Sequence, residues 1–329
     1  MTVTVGRPRT PAAPGPGPTP EALLRALDLS IGRRIRGLVS GEFRALDLGG
    51  GMELAQVRPY QAGDDIRRID WNVTARMIEP HVRVHVPERA LTTWLLMDQS
   101  PSMAFGTADR RKADVAEGVA IAVAHLSTQR GNRLGVLTFG GSRPLRTAPR
   151  GGRAGLLTTL IEERGVAAGP ATTAFRSPAT DPGTWPNVPT DEPADGSPAA
   201  AIRFVTHATS PGGIVVLVTD LRGPLDWLPE LGALRRRHGL LVVEIRDPRE
   251  DDLPDVGEVT LVDAETGREV RVDTSSATLR AKFAEAASRE RLLVERDLRR
   301  LRARHVVLST RGSWLRSFAD QLRHRGIVA

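Results

Sequence analysis

Apolar and polar positions fall into two kinds of block from residue 81 onward. His81-Val82-Arg83-Val84-His85-Val86 alternates, which predicts a strand with one face buried. Thr92-Thr93-Trp94-Leu95-Leu96-Met97 and Gly213-Ile214-Val215-Val216-Leu217-Val218-Thr219 are continuous apolar runs, the pattern of strands buried on both faces. We place strands at 91–98, Leu134–Phe139, Gly213–Asp220, Leu240–Ile245 and Val306–Leu308, with a short edge strand at Pro144–Ala148. Between them, Ala113, Ala116, Val119, Ala120, Val123 and Leu126 recur at helical spacing within 109–130. Further helices are expected at 152–163, Pro198–His207, 226–237, 276–303 and 313–325. Glu258–Val262 and Glu269–Val272 flank Asp263-Ala264-Glu265-Thr266-Gly267, a hairpin signal. Buried strands alternating with helices imply an α/β fold: a doubly wound, mostly parallel sheet covered on both faces.

The first part of the chain reads differently. Residues 1–20 are rich in Pro, Gly and Thr and are expected to form a disordered tail. Leu23, Leu24, Leu27, Ile31, Ile35 and Leu38 predict one or two helices, Gly49-Gly50-Gly51 a flexible loop, and residues 52–80 are dense in charge and turn signals. We divide the chain into a tail at 1–20, an N-terminal helical and irregular extension at 21–88, and an α/β domain at 89–329. Residues 165–196 lack periodicity and read as a loop insert within that domain.

Composition narrows the function classes. The chain has 329 residues, no cysteine and a formal net charge of +7, with acids and bases interspersed. Disulfides, Cys-zinc sites and thiol catalysis are excluded, and a reducing compartment is compatible. Nearly all bases are arginine, with Lys112 and Lys282 the two lysines. The basic run Arg289–Arg304 is diluted by Glu290, Glu295 and Asp297, so it reads as a solvated helix face rather than a nucleic-acid footprint. No apolar h-region follows Arg7 and Arg9, and no stretch is long enough to span a bilayer. The expectation is a soluble cytoplasmic protein that engages neither nucleic acid nor membrane.

The candidate chemistry lies where the buried runs end. Asp98-Gln99-Ser100-Pro101-Ser102-Met103 follows one, and Asp220 closes another. In open α/β sheets, ligands bind outside the carboxyl ends of the strands. If these strands are neighbours, Asp98, Ser100, Ser102 and Asp220 converge as hard oxygen donors suited to Mg²⁺, or Mn²⁺ in its absence. Two carboxylates at most balance that charge, so an open position would favour a partner's Asp or Glu. The competing reading is local capping, for which Asp and Ser are equally suited.

Asp98-x-Ser100-x-Ser102 with Asp220 resembles the metal-ion-dependent adhesion site (MIDAS) of von Willebrand factor A domains. The resemblance implies a doubly wound sheet with the metal at its top edge, and a hydroxyl from a second loop. Asp195-Gly196-Ser197-Pro198 is the nearest match, with Ser197 in place of the family's Thr; Thr172 or Thr173 are alternatives. A longer match runs from Arg58-Pro59-Tyr60-Gln61-Ala62-Gly63-Asp64-Asp65-Ile66-Arg67-Arg68-Ile69-Asp70-Trp71 to Arg76, with Gly51-Met52-Glu53-Leu54 before it and Glu88-Arg89 after. This segment resembles the signature of the bacterial domain of unknown function fifty-eight family. That resemblance implies a von Willebrand factor A-like protein associated with MoxR-type AAA+ ATPases, without established enzymatic activity.

Read by its residue types alone, the signature sets Arg58, Arg67, Arg68 and Arg76 among Asp64, Asp65 and Asp70, able to form a bidentate ion-pair network. Gly63 permits a tight turn, and Tyr60 and Trp71 are expected to anchor the segment on the main domain. A partner-docking surface is the alternative. His81 and His85, on one strand, lie roughly 13 Å apart and cannot share an ion directly. There is no Gly-x-Ser-x-Gly elbow and no Walker-type phosphate loop. The expected function is therefore a non-enzymatic, metal-dependent binding module for an acidic protein partner, an adaptor or co-chaperone of a MoxR-type ATPase. The alternatives are a metal-dependent hydrolase or phosphotransferase, which would need a further base, nucleophile or lysine near the metal, and a metal-independent scaffold.

Overall fold

The computed structural model describes residues 56–61, 64–77, 79–84, 92–127, 132–141, 145–151, 196–209 and 211–324. The expected tail, the helices at 21–39, the Gly49–Gly51 loop, the helix at 152–163, nearly all of the 165–196 insert with Thr172 and Thr173, and His85 lie outside these residues.

A six-stranded sheet forms the centre. Its strands are β3 (Thr92–Asp98), β4 (Arg133–Phe139), β5 (Arg146–Gly151), β6 (Ile214–Thr219), β7 (Gly239–Arg246) and β10 (Arg304–Ser309), in the order β10-β7-β6-β3-β4-β5. Every pairing is parallel except that of the edge strand β5 with β4. The short strand expected at Pro144–Ala148 is thus real, two residues further along. A separate antiparallel hairpin joins β8 (Glu258–Val262) to β9 (Glu269–Asp273), as the flanking pattern predicts.

Helices cover both faces: α2 (Lys112–Ser127), α3 (Pro198–Ala208), α4 (Leu228–Arg235), α5 (Ala277–Arg300) and α6 (Trp314–His324). Alternation along β3 explains why its sequence is continuously apolar. Leu95 and Met97 pack with Val115, Val119 and Val123 of α2 and with Trp314 and Phe318 of α6. Trp94 and Leu96 pack on the other side with Ile202 and Val205 of α3, Leu231 and Leu234 of α4, and Val294 and Leu298 of α5. A Cβ on Gly135 would come within 2.8 Å of the Trp94 ring, so a larger residue there would displace the indole.

The signature segment is more regular than expected. β1 (Gln56–Pro59) pairs antiparallel with β2 (His81–Val84), and between them stand a 3-10 turn at Ile66–Arg68 and α1 (Trp71–Met77). Its acids serve as local caps. Asp65 accepts the Arg67 N–H, and Asp70 accepts the N–H groups of Asn72 and Val73 at the start of α1. Asp64 accepts the Gln61 N–H. Arg67 and Arg76 are exposed. Trp71 does not anchor the segment: it is 68% exposed, and Ile66 and Met77 are similarly exposed. The aromatic at the first position of a short helix points away from the body. Tyr60 is half-buried, its N–H bonded to the Pro80 carbonyl. His81 is buried with Nδ1 against the Glu79 carbonyl and its backbone N–H on Thr74 Oγ1, a structural role.

Candidate functional site

β3 and β6 are adjacent and in register, with Met97 opposite Val218. From β3 the chain moves through α2 to β4 on one side; from β6 it moves through α4 to β7 on the other. Their carboxyl ends therefore flank the point where the strand order reverses, and Asp98 and Asp220 stand there.

The Asp98 side is built from neutral donors. Asp98 is 9% exposed; its Oδ1 accepts the Ser100 N–H at 2.8 Å and its Oδ2 the Thr219 hydroxyl at 2.6 Å. Burial pushes this carboxyl above its ordinary range, the negative charge of Asp220 adds to that, and the Ser100 and Thr219 bonds offset only part of it. Thr219 Oγ1 also accepts the Leu221 N–H, and Leu221 takes a positive φ of 54°. The strand end is thus held in a conformation unfavourable to a branched side chain.

Ser100 and Ser102 flank the start of a 3-10 turn at Pro101–Ala104, and their hydroxyl oxygens lie 3.0 Å apart. That matches the edge, about 3.0 Å, of an octahedron of oxygens centred about 2.1 Å away, the spacing around Mg²⁺. It is equally a hydrogen-bond length, and one hydroxyl donates to the other. Gly140, after β4, closes the loop from the side. It has φ +76°, and a Cβ there would lie 3.0 Å from both Asp98 Oδ1 and Ser100 N. The Gly140 N–H donates to the Gly196 carbonyl at 2.7 Å, which brings the loop of Ser197 alongside. Ser197 Oγ accepts the Ala200 N–H as the N-cap of α3.

The Asp220 side is built from charge. Lys112, at the start of α2, is fully buried, and its Nζ donates to Asp220 Oδ2 at 2.5 Å and to Glu250 Oε1 at 2.6 Å. Burial alone would lower the ammonium's pKa, but the charges and hydrogen bonds of Asp220 and Glu250 outweigh it and the net shift is upward. Asp220 Oδ1 accepts the Arg222 N–H, and the Arg222 guanidinium lies 3.8 Å from Glu250. From sequence alone, Asp220 is expected to bind a cation directly or through water. Both its oxygens are engaged, one by a permanent positive charge.

Among the described residues, no group of three His, Cys, Asp or Glu side chains is arranged to hold a metal. Any cation would rest on Asp98 with hydroxyl oxygens, a weaker donor set than two free carboxylates.

Another carboxylate reaches this loop from a distant element. Glu265, at the tip of the β8–β9 hairpin, accepts the Ser102 N–H through Oε1 at 3.0 Å. The tip is tightly made: Asp263 accepts the Glu265 N–H and the Thr266 hydroxyl, and the Gly267 N–H returns to the Asp263 carbonyl.

The sequence pattern draws attention to Asp98, Ser100, Ser102 and Asp220 but not to Lys112, Thr219, Glu250 or Glu265. Composition held one clue. In a chain whose bases are nearly all arginine, a lysine opening a helix beside the candidate loop is conspicuous. A compact ammonium with rotatable donors bridges the two buried carboxylates from a single nitrogen.

The architecture and this rim define an α/β protein with a polar, charge-organised switch point. Comparison with known proteins then gives the family. The chain belongs to the family described as "Protein of unknown function DUF58", whose model matches residues 56–292. Uncharacterized protein Rv1480 of Mycobacterium tuberculosis and uncharacterized protein Mb1516 of Mycobacterium bovis are each 38% identical over 312 residues, covering 94% of this chain and 91% of theirs. Among solved structures, the conserved hypothetical protein BatB from Bacteroides thetaiotaomicron aligns with TM-score 0.40 at 10% identity, over 71% of this chain and 98% of its own. An aerotolerance-related membrane protein from Bacteroides fragilis aligns with TM-score 0.38 at 11% identity, over 72% and 98%. No helix among the described residues is long and apolar enough to cross a membrane.

Proposed function

We propose that this chain is a non-enzymatic binding module of the von Willebrand factor A type. It would hold Mg²⁺, or Mn²⁺, at the switch point and dock an acidic residue of a protein partner. Asp98, Ser100 and Ser102 are its direct oxygen donors. Asp220, neutralised by Lys112, serves to position the rim, and Ser197 to fix the neighbouring loop. The observation that carries this reading is the pair of hydroxyl oxygens 3.0 Å apart beside a buried carboxylate that no cationic side chain among the described residues engages. When bound, the metal would supply a coordination position for a carboxylate; the chain's own residues orient the oxygens and exclude water behind them. The family resemblance adds a role as cytoplasmic adaptor or co-chaperone of a MoxR-type AAA+ ATPase in assembling or maturing other proteins.

A second reading has its own support. The buried Lys112 ammonium already compensates two carboxylates, which suits a metal-independent scaffold. Titration calorimetry separates the two. The parent should take up Mg²⁺ or Mn²⁺, and Asp98→Ala should not, with thermal stability little changed. Unaltered uptake by the variant refutes the assignment. Turnover of phosphate esters that disappears with Asp98→Ala would instead favour a hydrolase.

A further inference from the structure

Around the rim, Asp220 and Glu250 share the Lys112 ammonium, and Arg222 lies 3.8 Å from Glu250 while pairing with Glu290 at 2.8 Å. Asp98 alone then faces the cation, and its oxygens already serve the Ser100 N–H and the Thr219 hydroxyl. The hairpin brings a second carboxylate to this loop. Glu265 crosses 163 residues of sequence to meet the Ser102 N–H, on the residue whose hydroxyl faces Ser100.

We infer that Glu265 is the chain's own occupant of this cation site. The hairpin tip supplies the second carboxylate beside Asp98, Ser100 and Ser102, and an acidic partner engages the site by displacing it. The inference rests on the metal-binding reading above and extends it to a residue and a regulation. Three observations favour a displaceable occupant over a fixed structural contact. Glu265 is exposed, whereas Asp98 and Ser102 are buried. Among the described residues, its link to the loop is a single hydrogen bond to the backbone, through one of two carboxylate oxygens. The turn that carries it is closed by its own bonds, so the tip keeps its shape when it leaves.

The test uses the full chain, Mg²⁺ and the substitution Glu265→Gln. Glutamine keeps an oxygen acceptor for the Ser102 N–H but carries no charge, so the fold and the docked hairpin are retained; circular dichroism and melting temperature check this. Calorimetry should show Mg²⁺ affinity falling more than about tenfold, since removing an outer-shell partner alone typically costs 10–100-fold. Acetate added at millimolar concentration should restore Mg²⁺ binding to the variant, and in the parent amide exchange at 263–267 should slow when Mg²⁺ is added. Equal affinity in parent and variant, or a loss that acetate does not restore, overturns the role of Glu265 while leaving a cation site at Asp98. If the parent itself binds no Mg²⁺ or Mn²⁺, both the site and its occupant are refuted.

Discussion

Two aspartates end two neighbouring strands of one sheet, and they live in different electrostatic worlds. Asp98 is surrounded by hydroxyl and backbone donors, and no cationic side chain among the described residues pairs with it. Asp220, one strand away, is locked to a buried ammonium that it shares with Glu250. The same residue type, one register position apart on neighbouring strands, sits in two environments: Asp98 accepts from neutral donors, while Asp220 fastens the start of α2 to the end of β6. Position on the fold alone does not set a carboxylate's environment; the donors and charges around it do.

The difference can be broken most forcefully at Lys112. Lys112→Met leaves Asp220 and Glu250 buried without their shared cation, and should cost about 3–5 kcal/mol in urea unfolding. A loss below about 1 kcal/mol would mean that the ammonium is not the organising charge. Thr219→Val acts on the other aspartate, where it removes the hydroxyl from Asp98 Oδ2 and the acceptor from the Leu221 N–H. It should destabilise by about 1–3 kcal/mol and raise the pKa of Asp98 further, as followed by carboxyl NMR.

Asp98→Asn should have the smallest effect, under about 1 kcal/mol at neutral pH, because the penalty for burying the charge disappears together with its bonds. The pH dependence has a definite sign. The folded carboxyl titrates above its unfolded value, so as pH falls through the folded pKa the native state takes up a proton first. In metal-free buffer the parent should therefore gain stability relative to Asp98→Asn on acidification, until the ordinary Asp range is reached. An opposite slope in paired denaturation curves would show that the hydrogen bonds outweigh burial.

Much of the architecture was legible in the sequence because burial on both faces leaves a plain signature. The runs ending at Asp98 and Asp220, the helical stripe of α2 and the hairpin around Asp263–Gly267 all recur in the structure within a few residues. The signature segment was less legible. Gln56–Pro59 is too short to show alternation, and the capping of α1 by Asp70 is not announced by a segment so dense in charge. Trp71 was assigned to an apolar contact from its type alone. At the rim, residue type and spacing draw attention to Asp98, Ser100, Ser102 and Asp220, but charge compensation is a property of space. Lys112 comes from the β3–β4 crossover and Glu250 and Glu265 from the β7–β10 connection, and nothing in their local sequence announces that they meet.

The hairpin also has a mechanical consequence. Its strands are five residues each, so the arm is about 17 Å long from root to tip. At the root, Thr274 fastens β9 to Gly257 just ahead of β8, through both its N–H and its hydroxyl. An arm of that length turns a pivot of about 10° into a tip displacement of about 3 Å, enough to part Glu265 from Ser102. The lever's root runs directly into α5. A protein that merely leaned on that long helix could unlatch the rim from a distance.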